Sequence, residues 1–183
     1  ESELGYSAEV WSELATSMAV TTMAVPEAEG GLGYGLTYLC TVLEECGRAL
    51  RPEPVLTSAA VGVHALLLGT DARLTEHRAA ALADRLSASA ISSGDWQVSG
   101  TAAHVPHGAT ADIAVVTAET ETGRRLFAVP LTDDSVTRVT AESLDPTRPL
   151  SVLHLDGAAA IPLSDEGDTA ALLSELRART TIA

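Results

Sequence analysis

Cysteine is scarce in this chain: its 183 residues include two, Cys40 and Cys46. Six positions apart on one helix, they would be separated by roughly 9 Å of rise, beyond disulfide reach, so a disulfide-stapled scaffold is excluded. Long apolar runs are missing as well. No segment approaches the ~18–20 residues that span a bilayer, because Gly, Thr, His or Arg breaks each one, and no membrane span is expected. Positive charge is short: 11 Lys+Arg stand against 25 Asp+Glu, for a net charge of −14. With no basic cluster to neutralise successive phosphates, nucleic acid is excluded as a partner. A phosphate-bearing small ligand is not, since a few amides or one arginine can hold it inside an acidic protein. Reduced cysteines and the lack of a signal-like start lead to the expectation of a soluble, cytoplasmic protein.

What is present is a globular composition, 46% hydrophobic, in a chain long enough for one large domain or two small ones. Glu1 stands where an initiator methionine would, and the last residues stop inside a helical pattern, so a piece of a longer chain is expected.

Ser7 reads as an N-cap, followed by Val10, Trp11, Leu14 and Met18 along one helical face, with the helix ending before Pro26. Residues 34–50 read as a second helix, stopped by Arg51-Pro52-Glu53-Pro54. Residues 57–68 make a third, apolar and buried, and 74–85 a fourth, rich in alanine and arginine. From Ile91 the period changes. Short β segments follow at 96–99, 113–117, 126–131, 136–139 and 152–155, separated by turn residues. Beyond Pro162 a helical period returns through Leu172, Leu173 and Leu176, with Ser164, Asp165 and Asp168 as capping candidates. The expected fold class is α+β: an N-terminal helical domain (1–86), a small antiparallel β-barrel or sandwich domain (87–163), and the start of a C-terminal helical domain (164–183).

Several local patterns lead nowhere. His104 and His107 lack a third ligand at suitable spacing, so no metal site is expected. Gly30-Gly31-Leu32-Gly33-Tyr34-Gly35 follows a helix, not a strand, and lacks the G-x-x-G continuation of a dinucleotide loop. Ser92, Ser93 and Asp95 have no nucleophile elbow around them. His64 and His154, among apolar neighbours, read as satisfied core or interface histidines. Arg148 reads as an ion-pair residue.

Three longer strings carry a resemblance. Val25-Pro26-Glu27-Ala28-Glu29-Gly30-Gly31-Leu32-Gly33 is followed by a helix ending Leu43-Glu44-Glu45-Cys46-Gly47-Arg48. Residues 96–113, with Trp96, Gly100, Thr101, Val105, Gly108, Ala111 and Asp112, form the second. Residues 144–157, from Leu144-Asp145-Pro146-Thr147-Arg148 to an Asp156-Gly157 turn, form the third. In this order they resemble the N-terminal helical and middle β domains of acyl-CoA dehydrogenases. The resemblance implies an oligomeric FAD-dependent enzyme of fatty acid or lipid metabolism, such as β-oxidation, that puts an α,β double bond into an acyl-CoA thioester and hands electrons to an electron-transfer acceptor. A carboxylate of the family's C-terminal domain removes the α-proton while hydride passes to the flavin. No residue of this chain matches that base, so no catalytic residue is named.

By the same alignment the cofactor-facing positions are His104, Val105 and Pro106, where the family carries an aromatic, an aliphatic and a Ser or Thr that reach the isoalloxazine. The family's lysine after Gly-Thr is Ala102. Its T-E-P-x-x-G-S-D segment, which touches flavin and substrate, has no counterpart between His77 and Trp96. These departures raise an alternative, a non-catalytic, flavin-poor partner subunit of a heteromeric acyl-CoA dehydrogenase.

Overall fold

The computed structural model describes residues 5–67, 80–92, 95–145, 147–165 and 168–182. Helix α1 (Ala8–Ser12) starts at Ser7, whose Oγ accepts the Val10 N–H at 3.2 Å, and it widens into a π-helical turn, Glu13–Ser17. A 3-10 turn, Glu27–Glu29, leads into the glycine loop, and helix α2 (Leu36–Arg48) follows. A π-helical stretch, Leu56–Gly62, then continues as α3 (Val63–Leu66). Ser58 to Val61 are all buried, in line with the apolar third helix expected there; residue 68 lies outside the described residues.

Six strands follow: β1 (Ala80–Ser92), β2 (Asp95–Pro106), β3 (Ile113–Thr120), β4 (Gly123–Pro130), β5 (Val136–Ala141) and β6 (Leu150–Pro162); α4 (Thr169–Ile182) ends the order. The pairings β2–β1–β3–β4–β6 return to β2 and close a ring, with β5 added to the outer edge of β6. This is the α+β architecture expected from the order of helices, strands and final helix. Two details differ. Residues 80–85, expected as the end of an alanine-rich helix, lie in β1, and residues 74–79 lie outside the described residues. The ladder of Ala80 to Ala83 to β3 outweighs the weak helical preference of alanine there. The sheet is also mixed, because β1 runs parallel to β3 and antiparallel to β2.

Side-chain alternation explains how two layers share one sheet. In β3 and β4, Ile113, Val115, Leu126 and Ala128 face a cluster built with Trp11, Val20, Leu39, Val61 and Leu66 from the helices. Their neighbours Ala114, Val116, Phe127 and Val129 face the barrel interior with Val98, Leu153 and Leu155. Strands buried on both faces read as continuous apolar runs, which is how 113–116 reads in the sequence.

Ser164 joins the barrel to α4. Its buried Oγ accepts the Leu126 N–H at 3.0 Å and lies 2.8 Å from Thr169 Oγ1. Ser164→Ala leaves the Leu126 N–H without that partner, and urea unfolding is expected to register a loss of about 2 kcal/mol. His64 Nε2 lies 2.9 Å from Glu175 Oε1, tying α3 to α4, and this hydrogen bond holds the Glu175 carboxyl below its ordinary range.

Candidate cofactor-facing site

The end of β2 carries the three positions expected to face a cofactor. Its register against β6 slips between Ala102↔Leu153 and Val105↔Ser151, so Ala103 and His104 together oppose Val152. This is a β-bulge, which bends a strand and re-aims a side chain. His104 takes the left-handed conformation, φ 58°, and both Ala103 and His104 are exposed. Val105 turns inward and is buried in the barrel core, while Pro106 is partly covered and pairs with Leu150. The bulge therefore brings His104 to the open face and sends Val105 away from it.

The turn after β2 is closed on itself. The N–H of His107 donates to Pro149 O at 3.0 Å, Gly108 to Val105 O at 3.3 Å, and Ala109 to Ser151 Oγ at 2.9 Å. Thr110 and Ala111 both donate to His107 O, at 3.0 and 2.9 Å. From the other side Arg138 donates to the carbonyls of Ala109, Ala111 and Leu131. All five amides from His107 to Ala111 thus have internal acceptors.

His107, which the sequence offers as half of a metal pair without a third ligand, is buried. It is 5% exposed, at φ 55°, with its ring edge-on to Tyr6 at 6.0 Å. Burial, reinforced by the positive charge of Arg148, pushes its pKa down to about 4. Its Nδ1 has no hydrogen-bond partner among the described residues, and neither has Oε2 of the buried Glu53. Its spacing in the sequence resembles any turn residue, so only the inward fold of the turn reveals it. His154, expected in a core or interface, is exposed on β6, its Nδ1 2.9 Å from Thr101 Oγ1. Asp156-Gly157, expected as a turn, lies within β6 as a bulge opposite Ser99: Gly157 has φ 67° and donates its N–H to Ser99 Oγ at 2.9 Å. There the long ladder to β2 continues past the turn pair, because glycine supplies the left-handed residue that a bulge needs.

The glycine loop folds back on the end of the first helical segment. Gly31 N donates to Pro26 O, Leu32 N to Thr22 O and Gly33 N to Val25 O, at 3.0, 3.0 and 2.9 Å. A Cβ at position 31 would lie 2.2 Å from Val25 O, so the backbone approach requires glycine. Gly31→Ala is expected to cost about 2 kcal/mol, read as a lower urea midpoint at unchanged slope. Tyr34 at the end of the loop and Tyr38 in the first turn of α2 are exposed to solvent, their rings 5.6 Å apart. A separate groove of about 480 Å³ separates Val10, Leu14 and Met18 from Val42, Cys46 and Ala49.

A flavin held in the manner of the acyl-CoA dehydrogenases needs a hydroxyl and free donors at the end of this strand. The residues present do not fit that requirement. Pro106 has neither hydroxyl nor N–H. The five amides that follow it are spent within the protein, and the Thr101 hydroxyl is engaged by His154. Of the interval between His77 and Trp96, the described part, 80–92, is one strand with no inserted loop.

No family model matches the chain. A curated relative, acyl-CoA dehydrogenase IpdE2 of Mycolicibacterium smegmatis, is 37% identical over 76 residues, covering 42% of this chain and 24% of the relative. Among solved structures, the Tcur3481–Tcur3483 steroid ACAD matches 97% of this chain and 53% of its own at 25% identity, TM-score 0.73. The ChsE4–ChsE5 complex of Mycobacterium tuberculosis matches 97% and 56% at 23% identity, TM-score 0.75. Glutaryl-CoA dehydrogenase of Mycobacterium smegmatis in complex with FADH2 matches 97% and 53% at 20% identity, TM-score 0.77. The chain spans about a quarter of the curated relative and about half of each of these structures.

Proposed function

We propose, from the premise that this chain is like the acyl-CoA dehydrogenases in sequence and fold, that it works within an FAD-dependent enzyme that introduces an α,β double bond into an acyl-CoA thioester. The observation carrying this reading is the order of parts. A helical portion with its Val25-to-Gly33 loop, a six-strand sheet closed through five of its strands and a further helix follow one another, and this order aligns over 97% of the chain with the steroid ACAD. The portions 1–86, 87–163 and 164–183 stand in this reading for the family's three successive domains. An acyl group of lipid or steroid type is supported by the steroid ACAD relative, and hetero-oligomeric assembly by the two-component naming of both that relative and ChsE4–ChsE5. An electron-transfer acceptor and a cytoplasmic setting complete the proposal; no helix among the described residues is long and apolar enough to cross a membrane.

This chain's own residues supply structure to that site. The bulge at Ala103-His104 presents an imidazole on the open face, the sealed turn after Pro106 makes a firm edge, and the glycine loop and the start of α2 set Tyr34 and Tyr38 at the surface. The test uses the native full-length protein with any chain that co-purifies. It is incubated with straight-chain, branched and steroid side-chain acyl-CoA thioesters and an artificial electron acceptor. Products two hydrogens lighter, unsaturated between the α and β carbons, are expected for at least one class. A flavin-bearing preparation that oxidises none of them contradicts the reading.

A further inference from the structure

We infer that this chain does not hold the flavin of its assembly, and that a second chain of the same fold holds it while this one forms a wall beside it. The inference rests on the acyl-CoA dehydrogenase reading and names the partner that reading requires. Three independent features of the backbone carry it. Strand β1 runs from Ala80 to Ser92: its first half pairs with β3 up to Leu86↔Ala118 and Ser87↔Glu119 with one slip of a single residue between Ala83 and Leu86, too short for a loop, while Ser87↔Ser99 already begins its ladder with β2. No residues remain between the two ladders from which a flavin-covering loop could rise. At the end of β2, proline removes one donor from the chain itself, and Pro106 sits in register with Leu150, so that backbone is fixed by the barrel. Beyond it the five amides from His107 to Ala111 are bonded to Pro149, Val105, Ser151 and His107, and freeing them means dismantling the turn.

Side-chain exchange alone therefore cannot rebuild the site. The partner is identified by what is missing here: a chain with a hydroxyl and free N–H donors at the end of its own second strand, and a loop inserted in its first.

The test counts flavin in the full-length chain purified alone and purified with its co-purifying chain, by denaturing each and measuring released FAD per polypeptide. The lone chain is expected to carry none after soaking in excess FAD, and the assembly one flavin per pair of chains. Should the lone chain fail to fold, the count in the assembly decides. The double variant His104→Trp, Pro106→Thr is expected to remain flavin-free, because the amides stay spent and the loop stays absent; a variant that acquires stoichiometric FAD overturns the argument from the backbone. Flavin on every chain of an assembly that still oxidises acyl-CoA overturns this inference and leaves the proposed function standing. An assembly with no flavin at all overturns both.

Discussion

Replacing Phe127 by alanine is expected to destabilise the protein by about 4 kcal/mol, within the range for emptying a fully buried aromatic site. Phe127 is 0% exposed and lies in β4, opposite Val116 of β3 and Pro162 of β6. The β4–β6 seam consists of two residue pairs, Phe127↔Pro162 and Ala128↔Ile161, so the ring fills the barrel where its closure has fewest ladder bonds. Phe127 also packs on Trp96 with centroids 5.3 Å apart, and Trp96 lies beneath the Arg125 guanidinium at 5.0 Å. Arg125 in turn donates to Ser164 O at 2.8 Å, ahead of α4. Loss of the ring thus loosens both the seam and the attachment of the last helix. Urea unfolding measures the loss; a cost under about 1.5 kcal/mol, typical of a site that collapses easily, contradicts a barrel closed around this residue.

The second large effect is on acid stability. His107 is buried, and its pKa falls from 6.5 in the unfolded chain to about 4 in the folded one. In the unfolded chain the imidazole takes up its proton first as pH drops, so the stability this neutral ring contributes is fully present above pH 6.5 and is lost on descending to about 4. A shift of that size corresponds to about 3 kcal/mol. Carboxylates titrate over part of the same range, so the difference between two proteins isolates the histidine. Asparagine tolerates the left-handed backbone at this position and carries no titrating group. The stability of the native chain relative to His107→Asn is expected to fall by about 3 kcal/mol between pH 7 and pH 4. Parallel pH profiles for the two proteins would mean that the ring is hydrated and its burial unimportant.

Periodicity located most of the architecture. Ser7 caps the first helix, α2 falls within the stretch expected for it, and all five expected strands have a counterpart. Their lengths were harder to read. The segment seen as 96–99 extends to Asp95–Pro106, and that seen as 152–155 extends to Leu150–Pro162, because their outer parts hold glycine, alanine and a bulge. Such residues have little strand preference and are held by ladders to distant partners. Strand β1 was hidden for the same reason: Ala80 to Ala83 and Leu86 satisfy a helical composition, and only pairing with β3 makes them a strand.

The sequence singles out positions at the end of β2 but does not supply their geometry. The alignment singled out His104, Val105 and Pro106, and the missing hydroxyl at 106 follows from the residue name alone. That Val105 points into the barrel follows from the bulge, which periodicity cannot place. Of the next five amides, those of His107 and Ala109 are engaged by Pro149 and Ser151, more than forty positions away in the sequence, and the other three by Val105 and His107 within the turn. His107 illustrates the limit most sharply, since its burial comes from Tyr6 at the other end of the chain.

The central claim is that this fold serves an acyl-CoA dehydrogenase. The most direct test is an anaerobic titration of the native assembly with acyl-CoA thioesters, followed through the visible spectrum of its flavin. Bleaching of the oxidised flavin by a saturated thioester, reversed by the matching α,β-unsaturated thioester, is the predicted result. A flavin spectrum that stays unchanged through saturating amounts of every class of thioester would contradict the account.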